Sequence, residues 1–246
     1  MRRRWTAETE ARRITLSILP HPLWIRGSAS DFEAFEQIFV HDEYDFSQWA
    51  AHHAEIERAY AKMLERGKAP VIIDCGANTG YASIWFALRY PRATVYAIEP
   101  EPENFTVLRR NVSPYANVIP LAAGVSDCVT RLSLVNPGGQ AWACQTIEDD
   151  HGCVPSVTIP DLLARHPDAA PLIVKVDIEG YETSLFRSNA EWAAQTSLVV
   201  FEMHDWLFQW RGTGDAILRC LTQQPRDYLI RGETVFSFAH PGSRAE

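Results

Sequence analysis

The sequence is short of positive charge, of paired cysteines and of long apolar runs, and each shortage excludes something. Its 23 Lys and Arg residues against 31 Asp and Glu give a formal net charge of -8. The chain therefore has no bulk attraction for a polyanion, and nucleic acid is not an expected partner. The basic run Arg2, Arg3, Arg4, Arg12 and Arg13 is interrupted by Glu8 and Glu10 and reads as a solvated arm, with surface or membrane contact as the alternative. Cys75, Cys128, Cys144, Cys153 and Cys220 are odd in number and form no C-x-x-C pair. That argues against a disulfide framework and a zinc knuckle, and it points to a reducing cytoplasm. A signal peptide is not expected either, because Ile14 to Ile25 is broken by Pro20, His21 and Pro22. No run approaches the length of a membrane span, and neither repeats nor low-complexity tracts occur.

What is present is the composition of a globular protein, 246 residues with 46% hydrophobic and 22% charged, which predicts one principal domain with an appended segment. Residues 1–46 read as an irregular lead-in, with a capping box at Ser30-Asp31-Phe32-Glu33 before Phe35, Ile38 and Phe39. In residues 47–69, Trp49, His53, Ile56, Tyr60 and Met63 recur at helical spacing up to Gly67, which predicts an amphipathic covering helix. From residue 70 to 246 short apolar runs alternate with helical stretches. Val71 to Asp74, Thr94 to Glu99, Val118 to Leu121, Leu172 to Asp177 and Leu198 to Glu202 read as strands. Tyr81 to Tyr90, Glu103 to Asn111, Pro160 to Arg165 and Gly214 to Gln223 read as helices. The expected fold is therefore α/β, a doubly wound, mostly parallel Rossmann-like sheet. Tyr228 to Ile230 and Val235 to Phe238 flank Arg231-Gly232-Glu233-Thr234, which predicts a closing antiparallel hairpin. An insertion at about 135–155, opened by the turn Asn136-Pro137-Gly138-Gly139 and carrying Trp142, reads as either a lid or a plain surface loop.

Ligands of such sheets sit beyond the carboxyl ends of the strands. After the first strand of the sheet comes Asp74-x-Gly76-x-Asn78-x-Gly80, where Asn78 stands in place of the middle glycine of a dinucleotide loop and disfavours a pyrophosphate. The next strand ends in Glu99, at the offset where an acid grips both hydroxyls of a ribose. Gly76, Gly80 and Glu99 together signal a nucleoside-bearing cofactor. Asp74 suits a cofactor ammonium, or is an ordinary strand-end carboxylate. Asn104 and Asp127 are candidates for the adenine side, with a helix or turn role equally open.

The segments Val71 to Gly80, Ile98-Glu99-Pro100 with Asn111 downstream, and Val174-Lys175-Val176-Asp177-Ile178-Glu179-Gly180-Tyr181-Glu182 resemble the FkbM-type family of class I methyltransferases. The likeness covers residues 70 to about 240. Leu23-Trp24-Ile25-Arg26-Gly27, Ser30-Asp31 and Phe39 to Tyr44 resemble the lead-in of many members. The resemblance implies S-adenosylmethionine as cofactor and a hydroxyl oxygen as methyl acceptor, on a sugar, a polyketide or a related secondary metabolite. The cofactor-binding set on this reading is Asp74, Gly76, Asn78, Gly80, Glu99, Pro100, Asn104, Asp127 and Asp177.

Oxygen as acceptor also fits Asp177-Ile178-Glu179-Gly180, which replaces the Asn/Asp-Pro-Pro-aromatic motif of enzymes that methylate base amines. A hydroxyl needs a base or a metal to become nucleophilic. The catalytic candidates are His204, Asp177 and Glu202, with His204 preferred as base because an ordinary imidazole titrates near neutrality. The same three residues could instead hold Mg2+ or Mn2+. Lys175 is expected to pair with a carboxylate, because its burial alone would be costly. Arg26, Asp31, Glu43 and Tyr44 suggest a lead-in folded over the cofactor, while Trp206, Phe208 and Trp210 suggest an aromatic acceptor wall or ordinary packing. His52 and His53 read as packing or surface residues, and His151 with Cys153 lacks further ligands for a metal. The rivals are a nicotinamide oxidoreductase, which the missing glycine opposes, and a non-catalytic module, which intact Asp74, Glu99 and Asp177 oppose.

Overall fold

A computed structural model describes residues 10–135 and 145–242. Two short strands, β1 (Arg12–Ile14) and β2 (Leu23–Ile25), pair antiparallel ahead of helices α1 (Ala29–Phe39) and α2 (Ala50–Glu65). The alternation then runs β3 (Ala69–Cys75), α3 (Tyr81–Arg89), β4 (Thr94–Ile98), α4 (Pro102–Val112) and β5 (Val118–Leu121). A satellite sheet follows, made of β6 (Gly124–Val125), β7 (Arg131–Val135), β8 (Gln145–Glu148) and β9 (Val154–Val157). The main path resumes with α5 (Ile159–Ala164), β10 (Ala169–Val176), α6 (Glu182–Leu185), α7 (Trp192–Gln195) and β11 (Leu198–Glu202). A single 3-10 turn at His204–Trp206 leads to α8 (Thr213–Leu221) and the hairpin β12 (Arg226–Arg231) and β13 (Thr234–Ala239).

Seven strands make the central sheet in the order β12-β13-β11-β10-β3-β4-β5. The five from β11 to β5 are parallel, and β13 runs antiparallel to both of its neighbours. The chain builds outward from β3 to β5, then restarts at β10 on the other side of β3. Strand order therefore reverses between β3 and β10, and a crevice opens beyond their carboxyl ends. Register pairs Asp74 with Lys175 and Cys75 with Val176, so the loops starting at Gly76 and Asp177 emerge side by side.

Val71, Ile72, Ile73, Leu172, Ile173 and Val174 are fully buried because helices cover both faces of the sheet. One apolar cluster joins Ile72 and Ile173 to Ile38, Phe46, Ile56, Phe86 and Leu108 from α1, α2, α3, α4 and the segment between α1 and α2. The other joins Val71 and Val174 to Leu162, Leu185, Trp192 and Ile217 from α5, α6, α7 and α8. No helix among the described residues is long and apolar enough to cross a membrane.

Two expectations are corrected. The lead-in is more ordered than its pattern suggests: Leu23 and Ile25 are buried, and α1 is capped two residues earlier than expected, with Ser28 Oγ accepting from Asp31 N. The described part of the insertion contributes β8 and the start of β9 to the satellite sheet rather than a plain surface loop, and Leu132 is fully buried there against Gly124 and Gly152, where any side chain would collide with it. Arg2, Arg3, Arg4, the Asn136 to Gly139 turn, Trp142 and Cys144 lie outside the described residues.

Candidate active site

The loop after β3 turns through positive φ at Gly76 (+80°), Asn78 (+50°) and Gly80 (+88°). At Gly76 an added Cβ would stand 1.8 Å from the Asp177 carbonyl oxygen. Glycine is thus required by the close approach of two strand ends as well as by its backbone angle. Asp74 is fully buried below the loop; its Oδ2 accepts from Ser83 Oγ at 2.6 Å and its Oδ1 lies 3.1 Å from Lys175 Nζ. It lines neither of the cavities described below and is held by Ser83 and Lys175. Lys175 Nζ also donates to the Gly76 carbonyl at 3.0 Å and sits 3.3 Å from Asp177 Oδ2. Burial opposes its charge, but Asp74 and Asp177 outweigh that and hold the ammonium well above the usual lysine range.

A narrow cavity opens beyond β3 and β4, lined by Gly76, Asn78, Ile98, Glu99, Pro100, Asn104, Ala123, Gly124, Val125, Thr146, Asp177, Ile178 and Glu179. Glu99 is buried, accepting from Asn78 N at 2.8 Å and Glu101 N at 2.9 Å, and burial lifts its pKa to about 7 despite those bonds. Asn104 is fixed from outside: Arg26 Nη2 donates to its Oδ1 at 2.6 Å while gripping buried Asp31. The lead-in therefore braces α4 beside this cavity. Gly80 opens α3 and does not line it, and Asp127 is placed differently from expectation. The Asp127 carboxylate accepts from Arg187 at 3.0 and 2.9 Å and from Ser188 at 2.7 Å, outside the cavity, and so ties β6 to the segment after α6.

The second cavity is wider, about 440 Å³, and shares Gly76, Asn78, Asp177 and Glu179 with the first. Its wall adds Lys175, Glu202, His204 and Trp206 from the sheet's carboxyl edge, Tyr44 and residues of α1 from the lead-in, and Glu233 from the hairpin. His204 is 3% exposed; its Nδ1 lies 2.8 Å from Glu182 Oε1, and its Nε2 stands 3.6 Å from Glu179 and 3.8 Å from Asp177. Burial works against an imidazolium, yet the Glu182 bond and the flanking acids prevail and raise the pKa to about 9. His204 is thus held protonated at neutral pH, which removes the reason for preferring it as the base. Burial, reinforced by Asp177, lifts Glu179 to about 7. Burial, reinforced by Asp177 and Glu43, lifts Glu202 to about 8.

Asp177, Glu179 and His204 present ligand atoms within 4.8 Å of one another, a set able to hold a metal ion. Glu202, expected from the sequence, is replaced there by Glu179; Thr234 Oγ1 reaches Glu202 at 3.4 Å and also donates to Glu43. Glu182 and Thr146 are the residues that sequence reasoning missed. Glu182 stands two residues past Gly180 in the run already singled out, so its spacing was a usable signal. Thr146 enters only through the satellite sheet. Phe208 packs where a Gly180 side chain would be, 2.3 Å from its ideal Cβ, and seats the loop bearing Trp206; Trp210 is fully exposed and lines neither cavity.

The chain is similar to hexuronic acid methyltransferase AglP of Haloferax volcanii, with 25% identity over 160 residues, 63% of this chain and 66% of that protein. It is also similar to methyltransferase sdnD of Sordaria araneosa, 37% identical over 68 residues that make up 26% of each chain. The matched stretches span less than two thirds of either relative's length. Among solved structures, precorrin-6y C5,15-methyltransferase of Geobacter metallireducens aligns at 12% identity and TM-score 0.40, over 70% of this chain and 81% of that one. That structural likeness is too loose to bear on the reaction. The family model for the methyltransferase FkbM domain matches residues 74–229, from the buried acid of β3 to the hairpin and through both cavity walls, and by this match the chain belongs to the FkbM methyltransferase family.

Proposed function

We propose that this methyltransferase uses S-adenosylmethionine and methylates a hydroxyl oxygen of a sugar or other small metabolite. The observation that carries this reading is the common wall: Gly76, Asn78, Asp177 and Glu179 border both the narrow and the wide cavity. A donor held in one and an acceptor held in the other would meet there, as in-line transfer requires. The narrow cavity also fits the cofactor chemically. Among the described residues its lining carries three carboxylates, Glu99, Asp177 and Glu179, and no Lys or Arg. Such a lining suits a ligand with an ammonium and a sulfonium and is hostile to the pyrophosphate of a nicotinamide dinucleotide.

When bound, S-adenosylmethionine supplies an electrophilic methyl group on a positively charged sulfur. Glu99 would accept from the two ribose hydroxyls, while Ile98, Pro100 and Val125 offer apolar surface to the base. On the acceptor side Glu179 takes the hydroxyl proton, since it faces both cavities and its pKa of about 7 suits a base at neutral pH. Asp177, tied to Lys175, fixes the shared wall, and Glu202 borders the acceptor. Glu182 is a positioning residue that holds His204 and keeps its charge beside Glu179. The likeness to a hexuronic acid methyltransferase supports a sugar as acceptor.

A second reading has one observation in its favour. His204 turns Nδ1 to a carboxylate and Nε2 toward Asp177 and Glu179, the arrangement by which outer carboxylates orient metal-bound histidines. Asp177, Glu179 and His204 would then hold Mg2+ or Mn2+, which would polarise the acceptor oxygen. Incubation with S-adenosylmethionine and a panel of sugars, followed by mass spectrometry, tests the main reading. A 14 Da increment on an oxygen, formed equally with and without EDTA, is expected. Loss of product in EDTA, restored by Mn2+, would favour the metal; products methylated only on nitrogen or carbon would defeat the oxygen assignment.

A further inference from the structure

We infer that the acceptor carries an ammonium group beside its hydroxyls, as an amino sugar does, and that a uronic acid is rejected; this rests on the methyl-transfer reading above. The wide cavity is lined by six carboxylates. Asp177, Glu179 and Glu202 form its floor, and Glu33 and Glu36 of α1 with Glu233 of the hairpin turn form its rim. The basic side chains along the same wall are Lys175, His204 and His41. Lys175 is committed to Asp74, Asp177 and the Gly76 carbonyl. His204 is committed through Nδ1 to Glu182. Arg231, on the hairpin strand beside Glu233, turns its guanidinium to the carbonyls of His41, Asp42 and Asp45 and does not line the cavity. Among the described residues no Lys or Arg ion-pairs with Glu33, Glu36 or Glu233, so the rim carries a surplus of negative charge.

Two features besides charge point to a polar ring as the occupant. His204, 3% exposed, lines the cavity with an Nε2 that makes no hydrogen bond among the described residues. Trp206, 55% exposed, adds an aromatic face to the same wall. An aromatic plate beside carboxylates suits a ring with apolar C–H faces and an edge of hydroxyl and ammonium donors. A carboxylate on the ligand would meet like charge from the rim and from Asp177, and among the described residues no arginine lines the cavity to receive it.

The test is calorimetric titration of the full chain, saturated with S-adenosylhomocysteine and in EDTA, with methyl glucosaminide, methyl glucoside and methyl glucuronide. Expected is binding in that order, with the glucosaminide at least about tenfold tighter than the glucuronide at low salt. A combined Glu33→Gln, Glu36→Gln, Glu233→Gln variant should narrow that gap, its S-adenosylhomocysteine affinity reporting that it is folded. Equal binding of all three, no binding of any, or preference for the glucuronide would each overturn the inference while S-adenosylhomocysteine still binds. Failure of S-adenosylhomocysteine to bind would overturn the methyl-transfer reading itself, and the inference with it.

Discussion

The two cavities differ in how they are built. Close to half of the narrow one's lining, Gly76 to Asn104, comes from the ends of adjacent parallel strands β3 and β4, and the rest from Ala123 to Val125, Thr146 and the Asp177 to Glu179 loop. The wide one gathers Glu33, Tyr44, Lys175, His204 and Glu233, which only the complete fold brings together. A cofactor site can therefore be shared across a family, because the ends of neighbouring sheet strands fix much of it, whereas an acceptor site depends on every segment that closes over it.

The common wall is where that contrast breaks most easily. Gly76→Ala would push a methyl group into the Asp177 carbonyl in a left-handed conformation. A loss of about 3 kcal/mol or more is expected, roughly a 10 °C fall in thermal midpoint, with both ligands affected. Glu179→Gln should separate the two sides: kcat falls by about 100-fold to 10,000-fold while the S-adenosylhomocysteine Kd stays within about threefold. Glu99→Gln should do the reverse, weakening S-adenosylhomocysteine by about tenfold to 100-fold in a calorimetric titration with little change in acceptor KM.

Smaller effects come from charge. Glu179 and Glu202, raised to about 7 and about 8, contribute stability that is complete below the ordinary carboxylate pKa and is lost as pH rises through those values. His204, raised to about 9, contributes stability that is complete below its ordinary value and is lost as pH rises through about 9. All three act in one direction, so the thermal midpoint should fall between pH 6 and pH 9. Glu202→Gln should flatten part of that slope and raise the midpoint at high pH by roughly 3 °C. Least affected is Arg187→Ala, where the half-exposed guanidinium leaves buried Asp127 with its serine partners. About 1 kcal/mol of stability and no cofactor affinity should be lost, in keeping with a structural Asp127.

Much of the fold was legible, because each parallel strand is a bounded apolar run and Pro91, Pro160 and Gly67 punctuate the helices. The Gly76 to Gly80 turn and Glu99 were legible for the same reason, their offsets within one unit being set by strand and helix lengths. The satellite sheet was not: its strands are short, and Leu132 is buried only when Gly124 and Gly152 are brought against it. His204 lines the wide cavity, but its protonation depends on Glu182 and Glu179 across a turn, a tertiary arrangement no spacing reveals. Asp127 lay at a plausible offset, and only the folded chain delivers Arg187 and Ser188, 60 and 61 residues away, to its carboxylate.

Paired calorimetric titrations of the wild-type chain with S-adenosylhomocysteine and with NAD, repeated on Glu99→Gln and Glu179→Gln, test the two-cavity account most directly. The expected result is binding of S-adenosylhomocysteine alone, weakened by Glu99→Gln and nearly unchanged by Glu179→Gln. Binding of NAD instead, or S-adenosylhomocysteine affinity indifferent to Glu99, would contradict it.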